Sequence, residues 1–260
     1  MNYLSAYRTD VGIKKKTNQD SLYLVEAETV RGHVLLAVIC DGMGGLASGE
    51  LASAVLCQAF ATWFKQQLPA LVAYDSSPEA LKSSMENLLL DANENLLDYS
   101  SRKHLSLGTT ACALLIIGPV YYVINIGDSR LYQLSDALYQ ITTDQTVVQR
   151  EIDMGVLSPE AAEKDPRRNV LLQCIGASAI IEPVFYSGLT IPGSVFLLCS
   201  DGFRHVVSPR ELWEALGPQV VYSEDQMEAQ LIRLVELNKY RREEDNISAL
   251  AVRLPAESAA

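Results

Sequence analysis

Histidine is scarce in this 260-residue chain: only His33, His104 and His205 occur, and none falls within a glycine–aspartate motif. Long apolar runs are missing as well. The longest, Val34–Cys40 and Ala111–Ile117, are far shorter than a membrane span, so no membrane role is expected. The N-terminus, Met1-Asn2-Tyr3-Leu4, lacks the basic and apolar regions of a secretion signal. Positive charge is in deficit, with 21 basic against 32 acidic residues and a formal net charge of −11. A phosphate backbone needs a basic surface, so nucleic acid is excluded as an expected partner. The five cysteines, Cys40, Cys57, Cys112, Cys174 and Cys199, are odd in number and widely spaced. They read as reduced core residues of a cytoplasmic protein rather than as disulfides or metal ligands. Gly42-Met43-Gly44-Gly45 lacks the Gly-Lys-Ser/Thr ending of a nucleotide phosphate loop. No internal repeat or low-complexity linker interrupts the chain, so a single domain is expected over residues 1–254, with a disordered tail at 255–260.

What is present is block-like. Strands are expected at Tyr3–Thr9, Ser21–Ala27 and His33–Cys40, the last ending abruptly at Asp41-Gly42. A helix follows whose apolar face carries Leu51, Val55, Ala59 and Trp63, flanked by Leu56, Phe60 and Phe64. A second opens at Pro78, with Leu81, Met85, Leu88, Leu89, Ala92 and Leu96 at helical spacing. Strands return at Thr109–Ile117, Tyr121–Ile126, Arg130–Leu134 and Leu138–Ile141, then at Glu182–Tyr186, Ser194–Ser200 and Ile247–Leu254. Ser158-Pro159 and Ser208-Pro209-Arg210-Glu211 are helix starts, the second a capping box, and Ser223 opens a helix running to about Arg242. Strands and helices grouped in blocks predict an α+β fold of antiparallel sheets with helices packed outside.

Five aspartates share a local design. Asp41 and Asp201 each follow an apolar strand and precede glycine. Asp128 sits in Gly127-Asp128-Ser129-Arg130, Asp245 precedes Asn246 and the final strand, and Asp20 precedes an early strand. A single Asp-Gly is a common turn. Five carboxylates at strand boundaries can instead converge on one rim, where like charges repel unless a cation lies between them. Oxygen donors without His or Cys favour Mg²⁺ or Mn²⁺ over Zn²⁺.

From Thr9 to Leu254 the motif order resembles the protein phosphatase 2C (PPM) family in its bacterial single-domain form. The carriers are Thr9-Asp10-Val11-Gly12, Asn18-Gln19-Asp20-Ser21, Cys40-Asp41-Gly42-Met43-Gly44-Gly45, Gly108-Thr109-Thr110-Ala111, Gly127-Asp128-Ser129-Arg130, Thr142-Thr143-Asp144-Gln145-Thr146, Cys199-Ser200-Asp201-Gly202 and Asp245-Asn246. The resemblance implies a central β-sandwich of two antiparallel sheets flanked by α-helices, in αββα layers. It implies two tightly bound Mn²⁺ or Mg²⁺ ions and a weaker third. Asp41 would bridge the first two, the Gly42 carbonyl would bind one, and Asp201 and Asp245 would complete the other's shell. Asp20 would act through bound water, and Asp128 would serve the third ion. Asn246, Ser129, Thr109 and Thr110 would be supports. The implied reaction is hydrolysis of phosphoserine and phosphothreonine in proteins by a water held between the ions, with no phosphoenzyme, in keeping with the absence of a Cys-x5-Arg motif. The implied partners are substrates of a paired protein kinase and the kinase itself, with the phosphatase a monomer.

The chain departs from the family at three places. The opening motif usually carries a phosphate-gripping arginine, and counting from Gly12 and Asn18 places Lys15 there, with Lys14 and Lys16 as alternatives. Gln19 and Met43 replace, respectively, a carboxylate and a proton-donating histidine found in some relatives. A catalytically silent phosphoprotein-binding module is therefore the competing expectation. Residues 145–182 resemble the family's flap, where Arg150, Lys164, Arg167 and Arg168 could meet a phosphoprotein.

Overall fold

The computed structural model describes residues 3–44, 48–74 and 77–256. Gly45 and residues 257–260 of the expected tail lie outside the described residues.

Two antiparallel sheets form the centre. One is ordered β1 (Leu4–Asp10), β11 (Ile247–Arg253), β10 (Val195–Cys199), β7 (Arg130–Leu134) and β8 (Leu138–Gln140). The other is ordered β2 (Asp20–Thr29), β3 (Gly32–Gly44), β5 (Ala111–Ile117), β6 (Val120–Ile126) and β9 (Val184–Leu189), with β4 (Leu107–Thr109) paired to the end of β3. Their inner faces share a core that includes Leu35, Ala37, Ile39, Leu114, Phe196, Leu198 and Leu250. This is the expected sandwich.

Each outer face is covered by helices. Over the second sheet lie α1 (Ser48–Gln66), α2 (Leu68–Tyr74) and α3 (Pro78–Lys103). Over the first lie α6 (Asp201–Arg204), α7 (Pro209–Leu216) and α8 (Glu224–Tyr240). Short helices α4 (Val147–Asp153) and α5 (Pro159–Ala162) sit between β8 and β9. Among the described residues no helix is long and apolar enough to cross a membrane, and all five cysteines are free and buried.

Three local expectations are corrected. The buried face of α1 is Ala52, Leu56, Phe60 and Trp63, whereas Leu51 and Val55 are 37% and 38% exposed. The helix packs against the sheet and also against α3, so the face is centred on the aromatic side chains, each worth roughly 1.5–3 kcal/mol when buried. Trp63 also donates its indole N–H to Ser84. β3 does not stop at Cys40: it continues through Asp41 to Gly44 because β4 supplies a partner strand. The expected single strand Thr109–Ile117 breaks at Thr110, whose N–H donates to the Asp41 carbonyl (2.9 Å) while Thr109 pairs with Ile175. The capping box forms as expected, with Ser208 and Glu211 exchanging side-chain-to-backbone bonds.

At the β2–β3 hairpin, far along the strands from the aspartates, His33 bonds Glu26 (2.6 Å) and Glu28 (2.7 Å) and packs against Tyr3. Burial pulls the imidazole pKa down, but the two carboxylates outweigh it and hold it above the ordinary value. The interaction is therefore fully present below about pH 6.5, the unfolded value, and fades as pH rises through the folded pKa. We expect the melting-temperature gap between wild type and His33→Gln to be larger at pH 6 than at pH 9. A gap that does not change with pH would show that the pair contributes nothing.

Candidate functional site

The aspartates meet at the edge of the sandwich where strands of both sheets end. Asp20 opens β2 directly opposite Asp41 in β3. Asp201 follows β10 at the start of α6, and Asp245 precedes β11. Asp128 lies in the link from β6 to β7, where the chain passes from one sheet to the other. All five expected carboxylates thus share one rim. Asp41 sits inside a strand rather than at its end, which fixes its backbone more firmly than a loop would. Its N–H donates to the Thr110 hydroxyl, its carbonyl accepts from the Thr109 hydroxyl and the Thr110 N–H, and Thr110 is bonded in turn to Ser129.

The backbones here approach closely. A Cβ on Gly42 would stand 2.2 Å from the Gly49 carbonyl oxygen, so no side chain fits where β3 meets α1. A Cβ on Gly202 would lie 2.2 Å from the Asn246 carbonyl oxygen, so glycine lets α6 begin against the start of β11.

Electrostatically the rim is strained. Burial pushes the Asp41 carboxyl far above the usual carboxylate range, and the charges of Asp20, Asp201, Asp128 and Asp245 push it further. Burial lifts Asp20 to about 7; Asp201 and Asp245 add to this, while the facing Ser248 and Ser200 hydroxyls oppose it without completing a hydrogen bond. Asp128, also lifted to about 7, is raised first by burial and then by Asp201, against the pull of Arg204. Both Asp20 carboxylate oxygens and Asp201 Oδ1 are buried with no hydrogen-bond partner. Buried polar atoms are normally satisfied, so these three oxygens fit a group the chain itself does not provide. Their chemistry, hard oxygen without nitrogen or sulfur, suits Mg²⁺ or Mn²⁺. Among the described residues no three His, Cys, Asp or Glu side chains close tightly enough around one point to hold an ion as they stand.

Lys15 reaches this rim. Its Nζ lies 2.7 Å from Asp245 Oδ1. Burial works to lower its pKa, but the Asp245 bond and the charges of Asp41 and Asp201 outweigh it and raise the value. Lys14 instead pairs with Glu244. The loop carrying Lys15 is stapled by Asn246, whose Oδ1 accepts from the Gln19 N–H (2.9 Å) and whose Nδ2 donates to the Val11 and Thr17 carbonyls.

Several residues given no role by sequence complete the surroundings. Arg130 grips Asp144 with two 2.7 Å bonds. Arg204 donates to Asp144 and to the Asp128 carbonyl. His205 lies 3.4 Å from both Asp201 and Glu243, and the Glu243 carboxylate accepts the N–H groups of Glu244 and Asp245. The Thr142–Thr146 motif pointed to Asp144, but nothing in spacing revealed its arginine partners.

The profile of the protein phosphatase 2C family matches residues 13–236, and the chain belongs to that family. It is 33% identical over 255 residues to the serine/threonine protein phosphatase PstP of Mycobacterium tuberculosis, covering 94% of this chain. It spans 44% of that relative's length. It is 29% identical to the serine/threonine phosphatase stp of Listeria innocua over 249 residues, 95% of this chain and 94% of that one. The solved catalytic domain of PstP in complex with two manganese ions superposes with a TM-score of 0.78 at 29% identity, covering 97% of this chain and 98% of that one.

Asn246→Ala leaves the Gln19 N–H and two carbonyls without their partner and should destabilise the fold by about 1–3 kcal/mol. Urea unfolding measures this. An unchanged midpoint would mean that the Lys15 loop is held by something else.

Proposed function

We propose that the chain is a metal-dependent serine/threonine protein phosphatase, a single domain whose flap is the segment 145–182. The observation that carries the proposal is the rim of five carboxylates with three buried, unpartnered oxygens. Family membership and the names of the relatives support it. In this reading Asp41 and the Gly42 carbonyl hold two ions with Asp201 and Asp245, Asp20 steadies the site, and Asp128 serves a weaker third ion. Manganese in the PstP complex supports Mn²⁺ as one of the ions. When bound, such ions supply positive charge that acidifies water and neutralises phosphate oxygens.

The chain's own groups supply position and charge. Lys15 stands at the mouth with a persistent ammonium, placed to meet phosphate oxygens, although as a point charge rather than the planar fork of arginine. Thr110 and Ser129 hold the Asp41 backbone still, which keeps the charge preorganised where negative charge develops. The substrates are phosphoserine and phosphothreonine proteins made by a paired kinase, the kinase among them. We place the enzyme in the cytoplasm as a monomer, a setting that five free buried thiols suit. A silent binding module has no use for buried, unpartnered carboxylates, which favours turnover.

The purified protein should hydrolyse an aryl phosphate with Mn²⁺ and lose that activity in EDTA. Asp41→Asn should lose three or more decades of turnover, on the scale of dismantling an electrostatic centre, and should bind less manganese by calorimetry. Full activity in excess EDTA would end the proposal.

Lys15→Ala should lower kcat/KM by an amount equivalent to about 1–3 kcal/mol, the contribution of a charged hydrogen-bond partner. Lys15→Arg should preserve or raise it. An effect confined to Lys14→Ala would reassign the phosphate contact to the neighbouring lysine.

A further inference from the structure

A groove of about 720 Å³ runs between the segment 146–169 and the stretch from Arg204 to Glu211. Its lining includes five lysine and arginine side chains against three carboxylates, in a chain whose net charge is −11. Most of these charges are already paired. Arg130 holds Asp144, Arg241 holds Glu211, and Arg204 bridges Asp128 and Asp144. Arg167, one of the cations singled out in the sequence, is absent from the lining and is bound by Glu151 and Asp165. Lys164 and Arg168 differ: both line the groove, both are exposed, and neither pairs with any described residue. Glu163 is the lone unpaired acid beside them.

The groove borders the carboxylate rim through Arg204 and His205, while the five aspartates themselves lie outside its lining. Arg204 Nη2 lies 3.6 Å from Asp128 Oδ2, and its Nε is buried without a partner. His205, also in the lining, lies 3.4 Å from Asp201. A peptide whose phosphoresidue reaches the rim therefore has this groove beside it for its neighbouring residues. We infer that this groove binds an anionic side chain of the substrate, a carboxylate or a second phosphate flanking the phosphoresidue, through Lys164 and Arg168.

The inference rests on the phosphatase reading and is tested so that the two can fail separately. The manganese-loaded protein is assayed on an aryl phosphate and on three phosphothreonine peptides: one neutral, one with flanking glutamates, and one with a flanking phosphoserine. At low salt the anionic peptides should show roughly fivefold higher kcat/KM than the neutral one, carried by KM, the scale of one or two exposed charge pairs. The advantage should shrink in 0.5 M NaCl. The double variant Lys164→Ala, Arg168→Ala should erase it while leaving aryl phosphate hydrolysis unchanged. A gain with phosphoserine alone would define a phosphate subsite, and a gain with both would define a general anion site. Equal rates on all peptides, or an advantage that survives in the double variant, would overturn the inference while leaving the phosphatase reading intact. No manganese-dependent hydrolysis of the aryl phosphate would overturn the phosphatase reading, and the groove's role with it.

Discussion

Mutual repulsion among five carboxylates is the constraint around which the rest of the structure is arranged. Burial pushes the ionisation of Asp41, Asp20 and Asp128 upward, and their neighbours on the same rim push it further. A flexible loop would let them drift apart. The chain prevents this by anchoring each one. Asp41 is locked within a paired strand, Asp20 faces it in register, Asp201 starts a helix, Asp128 occupies a sheet-to-sheet link, and Asp245 accepts the Asn246 N–H just before β11. Glycines at 42 and 202 allow the close backbone contacts that bring these anchors together. The local strain of the rim is thus supported by the packing of the entire sandwich.

The layered architecture was legible because hydrophobic periodicity and turn chemistry agree along most of the chain. Runs such as Val34–Cys40 and Ala111–Ile117 are buried on both faces, so they read as strands without alternation. The misreadings have a common cause. Leu51 and Val55 fit a helical stripe as well as Leu56 and Phe60 do, and only the position of the neighbouring sheet decides which stripe is buried. The continuation of β3 past Cys40 depends on β4, more than sixty residues away. Tertiary pairing of that kind leaves no mark on a local pattern.

The site divides in the same way. Five aspartates next to strand-like runs, four of them beside glycine or asparagine, announced themselves by repetition of one local design. Lys15 was reached by counting within a motif, and the structure separates it from Lys14 by its contact with Asp245. The arginines that hold Asp144, and the His205–Glu243 neighbourhood of Asp201, carry no such signature. They are ordinary charged residues whose meaning comes from partners distant in sequence, as with Arg204 and Asp128. Asn246 shows the intermediate case: its place beside Asp245 marked it as a support, but its three bonds across to the residue 11–19 loop arise only from the tertiary fold.

Asp20 and Asp41 come from one sheet, Asp201 and Asp245 flank strands of the other, and Asp128 lies in the connection between them. The rim therefore exists only when the two sheets are packed. A cation that binds these oxygens binds the folded state and not the unfolded chain, so its affinity adds to stability by mass action. Without a cation, the same carboxylates oppose the packing that creates them. Lys15 partly offsets this by placing one ammonium against Asp245. A single lysine cannot neutralise five carboxylates, and the oxygens of Asp20 remain without partners. The acidic edge is thus a place where fold stability is given up locally, and the shared inner core of Leu35, Ile39, Leu114, Phe196, Leu198 and Leu250 lies where it can hold the two sheets together against that repulsion.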